Sequence, residues 1–199
     1  MKSIVLASAS PRRKELLTQI NLKFEVIPSS CEEIIMGNIP RDVVQQLAKQ
    51  KAEDVVKSLQ KPGKLVLGAD TVVAVEDKIL GKPVDREDAI QMIKKIQGKD
   101  HQVYTGVCFS RLEEDGTLTS KTFYEETTVS VAPMTEEEMV DYIEGKYQPE
   151  NILGMEWEDK AGAYGIQGSF AAFIQGIKGD YNNVVGLPIA RIYQELKHF

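Results

Sequence analysis

Apolar residues along this chain recur at two spacings, and the changes between them divide it into alternating strands and helices. Residues 3–7 are a short run with four apolar positions, the pattern of a buried strand, and Leu16, Leu17 and Ile20 form the stripe of a helix over 11–20. A second strand follows over 23–27. Val44, Leu47, Ala48, Val55 and Leu59 then lie on one face of a long amphipathic helix over 40–60. Residues 64–76 are strongly β-forming, and 85–97 reads as a helix with Asp85 at its N-cap and Asp88 three residues on. The stretch 101–111 alternates as a strand, Asp115-Gly116 signals a turn, and 117–131 returns as its partner. Thr135-Glu-Glu-Glu138 is a capping box that opens a helix through Ile143. Residues 146–158 are polar and irregular, 169–177 reads as a strand, and Leu187-Pro188 starts the last helix. The order predicts a mixed α/β fold with substantial antiparallel pairing, in one domain over 1–199 without repeats or linkers.

Several charges interrupt these patterns. Ser8-Ala-Ser10 is a tight turn between a strand and a helix that opens on Pro11, so free backbone N–H groups there point outward, ready for phosphate oxygens. Ser10 is the expected N-cap. Arg12 and Arg13 share that turn, and Arg13, four residues before Leu17, falls on the inward face, where it either binds an anion or pairs with a buried carboxylate. Lys51 sits within the apolar stripe of the long helix, four residues from both Leu47 and Val55, and is either half of an ion pair or a phosphate ligand; Lys49 faces away. Asp70 is the single charge in the run from Leu65 to Val75, and there it needs a cation or metal beside it or, at a sheet edge, a turn to bond. Gly81-Lys82-Pro83 places another lysine at a rigid turn, and Glu33, in the Glu32-Glu33 loop, could add a metal oxygen or simply be solvated. Gly162, Gly165 and Gly168, three residues apart, suit neither helix nor strand and imply a shaped loop where the backbone passes close to a ligand or another chain.

Composition narrows the chemistry. The 199 residues carry 42% hydrophobic and 27% charged residues and a net charge of −6, an acidic balance that argues against a nucleic-acid surface. The absence of a long apolar run or a secretory leader leads to the expectation of a cytoplasmic protein with no membrane partner. Cys31 and Cys108 are too few for a disulfide framework and receive no role. His101 and His198 lack the spacing of a nucleophilic triad or a zinc site. What remains is equipment for a polyanion, a divalent cation and an activated water.

Six segments together resemble the Maf family of nucleoside triphosphate pyrophosphatases. They are Ser8-Ala-Ser-Pro-Arg-Arg13, Lys51 within Leu-Ala-Lys-Gln-Lys-Ala, Gly68-Ala-Asp-Thr71, Gly81-Lys-Pro83, the stretch from Asp159 to Gly168, and Val185-Gly-Leu-Pro188. The resemblance runs from residue 3 to about residue 196. It implies an inosine triphosphatase-like α/β fold, an elongated mixed sheet with flanking helices forming two lobes around a cleft. It also implies hydrolysis of a nucleoside triphosphate to the monophosphate and pyrophosphate with a divalent cation, Mg²⁺ or Mn²⁺. Members are associated with arrest of septum formation, and homodimers are frequent. The family's subgroups differ at positions that here read Arg12, Thr71 and Gln167, a set similar to the subgroup acting on dTTP and UTP. On this resemblance Asp70 is the proton acceptor and, with Glu33, a metal ligand. Lys51, Lys82 and Arg13 neutralise the triphosphate, Ser8 and Ser10 bind it, and Arg12 helps to choose the base. The stretch Tyr147–Trp157 is longer than the family leads one to expect. A different class of reading keeps the same cleft as a nucleotide sensor acting on septum formation without catalysis.

Overall fold

The computed structural model describes residues 3–149 and 154–199. Residues 150–153, inside the long stretch at 147–157, lie outside the described residues. Among the described residues seven strands form one sheet, with β1 (Ile4–Leu6), β2 (Phe24–Val26), β3 (Val66–Val75), β4 (Lys78–Leu80), β5 (Asp100–Leu112), β6 (Leu118–Val131) and β7 (Ile174–Lys178). The strand order is β2-β1-β3-β5-β6-β7; β1 runs parallel to β2 and β3, and the other pairings are antiparallel.

The spine is β3, whose edges are used differently. One edge pairs with β5 from Val66 to Ala74. The other is shared: β1 covers Val66 and Leu67, β4 covers Val73 to Val75, and between them residues 68–72 have no strand partner. The sheet therefore forks around the middle of β3. This gap separates the two lobes and opens the cleft.

Side chains alternate across β3, so Val66, Gly68 and Asp70 face one side while Leu67, Ala69 and Thr71 face the other. The first face carries α2 (Pro40–Leu59), whose Ala48, Ala52, Val55 and Val56 bury against Val5, Val66 and Cys108. Two glycines let this helix lie directly on the sheet. A Cβ at Gly68 would stand 2.3 Å from the Ala48 carbonyl oxygen, and one at Gly106, opposite Asp70 on β5, 2.2 Å from that of Val44. The other face holds the larger core, in which Leu17, Leu67, Ile93, Phe109, Ile143 and Ile192 are fully or almost fully buried. It is covered by α1 (Pro11–Gln19), α3 (Arg86–Ile96), α4 (Glu136–Ile143), α5 (Tyr181–Val185) and α6 (Ile189–Glu195).

Local signals explain most element ends. The Asp85 side chain accepts the Asp88 N–H at the start of α3, and Thr135 and Glu138 close a reciprocal capping box on α4. Ser10 occupies the N-cap of α1, but its side chain caps nothing; its own N–H donates to Ser8 Oγ. The expected strand over 169–177 is corrected: Ser169–Phe173 is a 3₁₀ turn, and the strand begins at Ile174. The apolar run Phe-Ala-Ala-Phe-Ile fits either form, and a distant carboxylate, Glu156, fixes the choice by accepting from Ser169 N. No helix among the described residues is long and apolar enough to cross a membrane.

Candidate active site

A cleft of about 1,090 Å³ opens at the gap in the sheet, lined by the Ser8–Arg13 turn, Glu33, Lys51, Asp70, Lys82 and the 159–167 loop. All ten residues expected from the sequence line this one space: Ser8, Ser10, Arg12, Arg13, Glu33, Lys51, Asp70, Thr71, Lys82 and Gln167.

Lys51 and Asp70 meet because the two glycines bring α2 onto β3. The Lys51 ammonium lies 2.5 Å from Asp70 Oδ1 and 2.9 Å from Glu33 Oε1. Lys51 and Asp70 are largely buried and Glu33 is half exposed, so the charge inside the apolar stripe is compensated on both sides. Of the two carboxylates Glu33 is the less expected, because an acidic pair in a loop carries no pattern that distinguishes it from a solvated one.

Arg13 points inward as its spacing predicts, but its partners are neutral. Nε donates to the Gly186 carbonyl, Nη1 to Ser8 Oγ and to the Ala69 carbonyl, and Nη2 to Thr71 Oγ1. Ala69 belongs to the unpaired stretch of β3, so the arginine completes hydrogen bonding that a strand would otherwise supply. Four of its five N–H groups are thus engaged, one Nη2–H has no protein acceptor among the described residues, and no carboxylate pairs with it. Burial lowers its pKa from the ordinary guanidinium value, partly opposed by the charge of Asp70.

Thr71 lies beneath this arginine on the opposite face of β3 from Asp70. Thr71 Oγ1 shares a 2.9 Å hydrogen bond with Thr105 Oγ1, in which either hydroxyl can donate, and lies 3.5 Å from the Gly186 carbonyl oxygen. Lys82 is exposed and makes no ion pair among the described residues, leaving its ammonium available to a ligand.

Arg12 is held across the mouth of the cleft, with Nη1 2.7 Å from Asp159 Oδ2, a partner that the sequence pattern did not single out. The three regularly spaced glycines of the next segment are explained by contacts within the chain. A Cβ at Gly162 would press on Val73, one at Gly165 on the Lys160 stem, and one at Gly168 on the Glu156 carboxylate. Gln167 is exposed at the tip of a turn closed by Gly168 N–H donating to the Gly165 carbonyl, and no protein group bonds its amide among the described residues.

The other ionisable groups of interest are spectators. His101 is fully buried, with Nε2 2.7 Å from the Tyr164 hydroxyl and Nδ1 without a partner among the described residues, and burial holds its pKa down at about 4, slightly opposed by Asp100. Burial beneath α2 pushes the Cys108 thiol up to about 12, which makes it inert as a nucleophile.

Fold and site together define a class: α/β proteins in which a forked mixed sheet opens a cleft carrying cations and two carboxylates. Two solved structures share the fold over the whole chain. The HAM1 protein from Coxiella burnetii matches with a TM-score of 0.55 at 13% identity, covering 100% of both chains. The Staphylococcus aureus Ham1 protein matches with a TM-score of 0.50 at 16% identity, covering 99% of both. The profile described as Maf-like protein matches residues 3–199, and the chain belongs to that family. Among its relatives, a protein from Agathobacter rectalis named dTTP/UTP pyrophosphatase is 50% identical, with 99% of this chain and 97% of that protein covered. One of the same name from Carboxydothermus hydrogenoformans is 45% identical, with 98% of each chain covered.

Proposed function

We propose that the protein hydrolyses dTTP and UTP to the monophosphate and pyrophosphate, in the cytoplasm. The observation that carries the reading is the convergence of Asp70 and Glu33 on Lys51 at the gap in the sheet, beside Arg13, Lys82 and the Ser8–Ser10 turn. Whole-chain relatives that carry the name dTTP/UTP pyrophosphatase support it.

In this reading the Ser8–Ser10 turn and the free Nη2–H of Arg13 bind phosphate oxygens, and Lys51 and Lys82 offset the charge that grows on the leaving pyrophosphate. Asp70 takes the proton of a water whose oxygen bonds to the α-phosphorus as the bond from that phosphorus to the bridging oxygen breaks. The Gln167 amide has both a donor and an acceptor for the O4 and N3–H edge of thymine or uracil.

The donor set fits a hard divalent cation. Glu33 and Asp70 present carboxylate oxygens to one cationic centre, and among the described residues no group of three His, Cys, Asp or Glu is gathered to hold an ion alone. Glu33 and Asp70 would therefore hold it together with substrate phosphates, as Mg²⁺ is often held. When bound, the ion supplies positive charge against the phosphate oxygens.

The test is pyrophosphate release from a panel of canonical and modified nucleoside triphosphates with Mg²⁺ or Mn²⁺. Release is expected from dTTP and UTP in preference to CTP and purine nucleotides. Binding of nucleotide without release from any member would overturn the hydrolytic reading in favour of a sensor.

A further inference from the structure

The turn carrying Gln167 is gripped at both ends by one short upstream segment. Glu156 reaches across to the start of the 3₁₀ turn, where its two carboxylate oxygens accept the Ser169 N–H at 3.1 and 2.9 Å and one of them also accepts the Ser169 hydroxyl at 2.9 Å. The carboxylate lies so close over Gly168 that a Cβ there would be 2.4 Å from it. At the other end the Lys160 stem packs over Gly165, where a Cβ would be 2.7 Å from Cε. Lys160 Nζ donates to the Glu156 carbonyl at 2.6 Å, so the two grips are joined. Trp157 Nε1 donates to the Ile143 carbonyl at 2.8 Å and roots the segment on the end of α4. Gly165 and Gly168 bound the turn, and Gln167 projects between them with its amide unpartnered among the described residues.

From this arrangement we propose that Glu156 is a positioning residue for base recognition, holding the 165–168 turn so that the Gln167 amide meets the pyrimidine edge. The inference rests on the reading of Gln167 as a base contact. Glu156 touches neither substrate nor the reacting phosphorus. Its action is geometric: a carboxylate that accepts three hydrogen bonds at one residue fixes the backbone two residues beyond Gln167, and a side-chain amide acts only where its backbone is fixed.

Glu156→Gln keeps the size of the side chain but turns one acceptor into a donor facing the Ser169 N–H. In this variant the KM for UTP is expected to rise about tenfold. The inhibition constant of inorganic tripolyphosphate, which has no base, is expected to stay within twofold. Ser169→Ala, which removes one of the three contacts, moves the UTP value in the same direction by less and provides a second variant should the first fold poorly. In the Gln167→Ala background, Glu156→Gln adds nothing further to the UTP value. If Gln167→Ala alone leaves UTP binding unchanged, the base-contact reading fails and this proposal fails with it. If Gln167→Ala weakens UTP but Glu156→Gln does not, only the positioning role is overturned. Equal weakening of UTP and tripolyphosphate by Glu156→Gln overturns it too, because the segment is then merely structural.

Discussion

Asp70→Asn preserves the shape of the side chain facing Lys51 but removes its capacity to take a proton. Turnover of UTP is expected to fall by roughly 10²- to 10⁴-fold, the usual worth of a general base, while nucleotide binding persists; pyrophosphate release and isothermal titration check the two halves. His101 makes a different prediction, about stability. Its folded pKa of about 4 lies below the 6.5 of a free imidazole, so the unfolded chain binds the proton more readily. The stabilisation from a neutral His101 is complete above pH 6.5 and is lost as pH falls toward 4, at up to about 1.4 kcal/mol per unit and about 3 kcal/mol in all. Denaturant unfolding across that range should show this slope, and His101→Gln should remove it. Residues that contradict their surroundings were the legible ones: Lys51 in an apolar stripe and Asp70 in a strand had to be compensated. What compensates them was not legible, since Glu33 comes from a loop. The neutral partners of Arg13 likewise lie up to 173 positions away in sequence.

Helix α2 positions Lys51 only because Gly68 and Gly106 offer no side chain to its backbone. Gly106→Ala would place a methyl group against the Val44 carbonyl, which is backbone and cannot rotate aside. Destabilisation of about 1–3 kcal/mol or more is expected in chemical denaturation, with turnover reduced beyond the stability effect because Lys51 moves away from Asp70. Elements with local start signals, such as α3 with Asp85 and α4 with its capping box, could be read directly from the chain. The 3₁₀ turn at 169–173 could not, because Glu156, thirteen residues upstream of Ser169, holds its first N–H. The glycines of the 162–168 segment announced tight contact, but the neighbours they meet are Val73, Lys160 and Glu156 of the same chain rather than the ligand or second chain their spacing suggested.

On the scale of the whole molecule, the cleft is the place where β1 and β4 leave the centre of β3 uncovered, and both lobes contribute to it. Lys51 already forms an ion pair with each of Glu33 and Asp70 in the free protein. Chelation of divalent ions is therefore expected to abolish turnover while leaving the thermal midpoint of the free protein unchanged, as scanning calorimetry beside a pyrophosphate assay would detect. A lowered midpoint on chelation would mean that the ion is part of the folded scaffold.

The sequence by itself determined the kinds of element, most of their ends, the Maf resemblance and the charged residues that had to share a site, because periodicity, capping and misplaced charge are local properties of a chain. Tertiary structure alone decided the fork in the sheet, the pairing of Lys51 with both carboxylates, the neutral cage around Arg13 and the grip of Glu156 on the Gln167 turn. Each of these depends on backbone and side-chain groups that only the fold brings together, so no local pattern in the chain carries them.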